Sequence, residues 1–140
     1  VKVEAIENLY KKYYSPLGTR VVADKTNIGD MVINDLRAKG VTVIPQSFAG
    51  IVRLQLLQTL SNVFQADGVM VIPKNPYKPE ENKLVNMLQE QLMGFIRTKT
   101  DKGNETYLSK ANHDDIAISL AMAVSEATKM KTSYVKAVSR

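Results

Sequence analysis

His113 and the adjacent aspartates Asp114 and Asp115 stand directly in front of an apolar run, IAISLAMAV, from Ile116 to Val124. A helix N-terminus carries partial positive charge and unsatisfied N–H groups, so one aspartate at such a place is ordinary capping chemistry. A second adds like-charge repulsion. That repulsion is tolerable if both carboxylates face water and is better relieved by a divalent cation, so cap and metal ligand are both open readings of the pair. A further acid, Asp24, closes the apolar stretch RVVAD and is followed by Asn27 and Asp30 around a helix start. Alone it reads as an Asx turn or helix cap. In α/β sheets, however, ligands and chemistry gather at the carboxyl ends of strands, which makes Asp24 the first functional candidate.

The elements that must carry these acids follow from the hydrophobic pattern. Ile6, Leu9, Tyr10 and Tyr13 recur at helical spacing, and SPLG, Ser15 to Gly18, breaks that helix. RVVAD then reads as a buried strand, and after KTNIGD comes a helix with Met31, Val32, Leu36 and Ala38, ended by Gly40. VTVIP is the expected second strand and VMVIP the third, with a helix from about Ile51 to Ala66 between them. Its predicted stripe is Leu54, Leu57, Leu60 and Phe64. Pro73, Pro76 and Pro79 force a loop, and a helix from about Glu80 to Ile96 is expected to turn Leu84, Met87, Leu88, Leu92 and Phe95 inward. RTKTDKGNETYLSK reads as a hairpin turning on Asp101 to Asn104, and the last long helix starts near Asp114. Strands alternating with long helices predict parallel pairings in an α/β layered domain.

Composition narrows the chemistry. The 140 residues, 44% of them hydrophobic, suffice for one domain with a sizeable core. No cysteine is present, which excludes disulfides and thiolate metal sites, so any metal must bind through oxygen or the single histidine. The formal charge of +5 and a pI of about 9.4 favour a polyanionic partner. No apolar run approaches the roughly 20 residues needed to span a bilayer, and the first residues lack a signal-peptide core, so a soluble chain is expected.

Taken together, LYKKYYSPLGTRVVADKTNIGDMVINDLRAKGVTV, FQADGVMVIP, LVNMLQEQLMGF and TYLSKANHDDIAISLAMA give the chain a resemblance, from Val1 to about Val124, to the C-terminal nuclease domain of large terminase subunits. These are the DNA-packaging motors of tailed phages and related viruses. The resemblance implies an α/β, ribonuclease H-like fold, a mixed sheet with helices packed on it. It also implies a metal-dependent endonuclease that cuts concatemeric double-stranded DNA into genome lengths. Asp24 matches the family's second-strand acidic ligand, Asp114 and Asp115 the acidic pair that opens its last helix, and Gly29 the glycine after the second strand. His113 is then a residue that orients an aspartate or contacts phosphate, or a solvent-facing neighbour. Such carboxylates hold two divalent cations, and oxygen donors suit Mg²⁺ or Mn²⁺. Lys25, Arg53, Arg97, Lys99 and Lys102 are candidates to face DNA phosphates.

The resemblance further implies a terminase ATPase domain, a small terminase subunit and a portal as partners, in the host cytoplasm at the viral procapsid. Two departures belong to the same reading. The family's first catalytic aspartate lies on an earlier strand, Glu4 and Glu7 sit on a helix, and no G-x-x-x-x-G-K-[ST] motif occurs. The expectation is therefore an N-terminally truncated domain over residues 1–128, weakly active or inactive, with a basic tail over 129–140. Gln91 stands where the family often has glutamate and is left outside the active site. Two other readings stand beside this one: a non-catalytic DNA-binding or assembly module of the same fold, and another ribonuclease H-like nuclease such as a resolvase.

Overall fold

The computed structural model of the chain describes residues 2–48, 50–66, 72, 74–75, 77–99, 101–103, 105–110 and 113–138, the last eight by backbone alone. It forms two compact units, Val1–Ala49 and Gly50–Arg140. Among the described residues no helix is long and apolar enough to cross a membrane.

The first unit runs α1 (Lys2–Lys12), β1 (Val21–Asp24), α2 (Lys25–Ile28), α3 (Asp30–Ala38) and β2 (Val43–Gln46). β1 and β2 pair in parallel, Val21 opposite Val43 and Asp24 opposite Gln46, as the alternation of strand and helix predicted. Ala23, Ile33, Leu36, Val41 and Val43 form the core, and Val3, Ile6 and Tyr10 of α1 pack against it. The buried face of α1 is thus rotated from the expected stripe: Leu9 and Tyr13 are exposed, because Val3, Ile6 and Tyr10 are the residues that meet α3. Gly40 ends α3 as predicted. Its N–H reaches the Arg37 carbonyl while the Val41 N–H reaches Leu36, the paired bonds of a Schellman turn, which needs the positive φ of 80° that Gly40 adopts. The turn drops Val41 onto the core and aims the chain into β2.

The second unit runs α4 (Ile51–Gln65), α5 (Pro79–Met93), β3 (Phe95–Lys99), β4 (Glu105–Ser109) and α6 (Asp115–Val138). β3 and β4 form the expected hairpin, antiparallel with Phe95 opposite Ser109 and Lys99 opposite Glu105. Both α4 and α5 pack on α6. Ala117 and Ala121, one turn apart and fully buried, let the other helices approach α6 closely, and Leu56, Leu57, Leu60 and Leu88 fill the space. Burying each leucine stabilises the unit by about 1.5–3 kcal/mol.

Three expectations need correction here. Gly94 ends α5, so Phe95 and Ile96 belong to a strand instead of continuing the helical stripe; the Gly94 carbonyl accepts from Lys110 as the hairpin closes. Leu84 and Met87 are exposed, since the face of α5 turned to α6 carries Leu88 and Gln91. Phe64, expected inward on α4, is also exposed. The predicted third strand, VMVIP, falls almost wholly outside the described residues.

Candidate functional site

The start of α6 answers the question raised by its two aspartates. In a helix whose first residue is Asp115, the N–H groups open to a side-chain cap are those of Ile116 and Ala117. Neither aspartate takes them. Both bonds go to Oε1 of Gln91, each at 3.0 Å, from the neighbouring helix α5. Gln91 is only 7% exposed, and it lies three residues after buried Leu88 on the face of α5 that meets α6. Its amide therefore caps α6 from outside. The Asp114 carbonyl begins the helix by accepting from Ile118, and its carboxylate is left to turn elsewhere.

That carboxylate faces Arg53, whose Nη2 donates to Asp114 Oδ2 at 2.5 Å. Arg53 lies in the first turn of α4, with its guanidinium carbon 5.9 Å from the centre of the Phe95 ring. Both partners are partly sheltered, the side chains 28% and 24% exposed, so the pair is less screened than one at the open surface. Asp115 and His113 are exposed beside it. A cavity of about 370 Å³ in the same unit is lined by Leu57, Leu60, Phe64, Leu92, Phe95 and Tyr107 among others, with no acid or histidine among the described residues of its wall.

In the first unit Asp24 ends β1 and caps α2, its Oδ1 accepting from the Thr26 N–H at 3.0 Å and its Oδ2 from Asn27 Nδ2 at 2.6 Å. Asp24 is half-buried and Lys25 beside it is exposed. Gly29 has φ 79° and ψ 152°, a conformation nearly confined to glycine, and its carbonyl accepts from Ile33 to begin α3. It lets one residue separate α2 from α3, which fixes the direction in which the chain leaves Asp24. On the hairpin, Arg97 is ion-paired with Glu105, which holds the Glu105 carboxyl below the usual carboxylate range and raises the guanidinium. Lys99 and Lys102 are exposed.

The predicted ligands are thus divided, Asp24 in the first unit and Asp114 with Asp115 in the second. Among the described residues of either unit, no three His, Asp or Glu side chains gather into one ligand cluster. The donor chemistry nonetheless fits a hard divalent cation: each group offers carboxylate oxygens, and a carboxylate that accepts one or two hydrogen bonds keeps lone pairs for a metal. Sequence reasoning left out Gln91. The signal was a polar residue on the inward stripe of α5, where a buried amide must find a partner.

Among solved structures, the chain is similar to the large terminase nuclease of thermophilic phage G20c, at 27% identity and a TM-score of 0.65 over 89% of this chain and 60% of that one. The same nuclease with bound cobalt aligns at 26% identity and a TM-score of 0.67, over 89% and 60%. With bound magnesium the values are 26% and 0.66, over 89% and 59%. A nuclease domain from Thermus phage P74-26, at 24% identity, shares the fold. No protein-family model and no curated protein matches the chain. The chain spans about 60% of the length of the nuclease structure it matches first. The resemblance read from the sequence is borne out in structure, with the mixed α/β, ribonuclease H-like fold it implied.

Proposed function

We propose that this chain is the nuclease part of a viral DNA-packaging terminase, a metal-dependent endonuclease that cuts concatemeric double-stranded DNA. The observation that carries the reading is the likeness of 89% of the chain to a phage terminase nuclease, one form of which holds magnesium and another cobalt. Asp24, Asp114 and Asp115 are the residues that would hold the cations, two Mg²⁺ or Mn²⁺ ions. When bound, such ions supply Lewis acidity toward a phosphodiester and charge to stabilise its leaving oxygen.

The chain's own contribution is to present the carboxylates. Gln91 takes over the capping of α6, so the acidic pair is not consumed by its own helix. Gly29 and the Asn27 contact hold Asp24 at the end of β1. In this reading exposed His113 contacts phosphate or orients its neighbour. Lys25, Lys99 and Lys102 are exposed cations suited to DNA phosphates, while Arg97 and Arg53 already spend part of their charge on Glu105 and Asp114. The nuclease portion is assigned to residues 1–128 and a basic extension to 129–140, although the backbone of α6 runs on to Val138. Partners in this reading are an ATPase domain, a small terminase subunit and a portal, and the place of action is the procapsid portal in the host cytoplasm.

Titrating Mn²⁺ into the isotope-labelled chain tests the assignment, because paramagnetic broadening marks the amides nearest each ion. Amides around Asp24 and around Asp114 and Asp115 should broaden over one concentration range, and Asp114→Asn should abolish that response. A response at one segment alone, or spread over the surface acids without preference, would refute the reading.

A further inference from the structure

We infer that Arg53 is a built-in competitor for the cation, its guanidinium and a divalent metal contending for the same Asp114 carboxylate. The inference rests on the proposed reading in one respect, that Asp114 is a metal ligand. Everything else comes from the geometry. Arg53 Nη2 is 2.5 Å from Asp114 Oδ2, close enough for a charge-assisted hydrogen bond, and both side chains are about three-quarters covered. The guanidinium packs over the Phe95 ring, so it is held at the carboxylate and not merely drawn there by charge.

Charge balance decides the sign of the effect. One guanidinium neutralises half of the adjacent pair Asp114 and Asp115, and a divalent cation neutralises all of it. The two together would overcharge the site, with like charges a few ångströms apart in a partly desolvated place. A cation that takes Oδ2 must therefore displace Arg53 from it, and breaking that pair weakens binding. A residue that only oriented Asp114 for the metal would act in the opposite sense, since loss of an orienting partner typically costs 10- to 100-fold in metal affinity. The arginine thus makes occupancy of the Asp114 side depend on the concentration of free cation, and keeps the carboxylate pair stable when none is bound.

Calorimetric titration of Mn²⁺ into the wild-type chain, Arg53→Gln and Arg53→Lys gives the test, with paramagnetic broadening identifying the Asp114 site. Arg53→Gln should bind Mn²⁺ there roughly 10- to 100-fold more tightly, the worth of one hydrogen bond between charged groups. Arg53→Lys, which keeps the charge but loses the fork and the ring contact, should fall between. Equal or weaker binding by a folded Arg53→Gln chain overturns the proposal. A second measurement needs no variant: Mg²⁺ added to the wild-type chain should shift the Arg53 Nε–H resonance as the pair opens, and a stationary resonance at saturating Mg²⁺ also overturns it. If Asp114→Asn leaves the Mn²⁺ response intact, Asp114 is not a ligand and the nuclease assignment fails with it. If that response is lost but Arg53→Gln does not tighten binding, only the role of Arg53 is wrong.

Discussion

Replacing Gln91 by leucine keeps the volume of the side chain and removes the acceptor that caps α6, so its consequences can be worked out from two bonds. The N–H groups of Ile116 and Ala117 both end on Oε1 of Gln91, and the Ala117 bond is buried. Leaving a buried donor unsatisfied costs about 1–3 kcal/mol, and a half-buried donor that water can reach costs less, about 0.5–1.5 kcal/mol. The sum for Gln91→Leu is a loss of roughly 1.5–4.5 kcal/mol, a large share of the ~5–15 kcal/mol that holds an ordinary domain together. Amide hydrogen exchange at Ile116 and Ala117 reads it directly, with protection falling by about 10- to 2000-fold. Gln91→Glu keeps an acceptor at a helix N-terminus and should retain most of the protection. The same substitution gives a functional readout: with the cap gone, Asp114 or Asp115 is free to turn onto its own helix, and Mn²⁺ binding at the pair should weaken. If Gln91→Leu unfolds within about 0.5 kcal/mol of the wild-type chain and protection at the two amides is unchanged, Gln91 is not the cap.

Asp24 allows its structural and chemical roles to be separated. Asp24→Asn keeps an oxygen for the Thr26 N–H, and the exposed Asn27 amide can turn to accept from the new NH2, so stability should fall by less than about 0.5 kcal/mol while the Mn²⁺ response around β1 is removed, whereas Asp24→Ala should also lose about 1 kcal/mol in urea denaturation. Gly29→Ala meets no atom within 4 Å, so its cost of about 1–3 kcal/mol in the same assay is purely that of forcing a side chain into φ 79°. Glu7 of α1, bonded to Lys11 and then to Lys39, has its carboxyl pushed down to about 2. A carboxylate depressed by folding contributes its full stabilisation above its ordinary value near 4.5 and loses it as pH falls toward about 2. Acid unfolding of Glu7→Gln should therefore lose the Glu7 share of its pH sensitivity within that window, and carbon NMR titration of the Glu7 carboxyl in the wild-type chain should show a midpoint well below 4.

The sequence by itself made most of the described elements and the candidate acids legible. Helical spacing, the stop at Gly40 and the turn after Lys99 act within a few residues, through backbone propensity and periodic burial, so they can be read along the chain. The acidic pair before IAISLAMAV and the strand-end Asp24 were legible for the same reason; the likeness to a terminase nuclease, which the comparisons bore out, rested instead on the order and spacing of whole motif blocks. Where local patterns continued past a break, the reading failed: the stripe of α5 seemed to run into Phe95, yet Gly94 and pairing with β4 made that residue a strand. What the aspartates do was decided only by tertiary structure. Asp24 does cap α2, a bond spanning two residues, and that was among its expected roles. Whether Asp114 capped α6 depended on Gln91, 25 and 26 residues away along the chain from the amides it takes, and the direction of its carboxylate on Arg53, 61 residues away. A buried N–H and a carboxylate each select their partner from whatever packing brings within about 3 Å, and no local pattern encodes that choice.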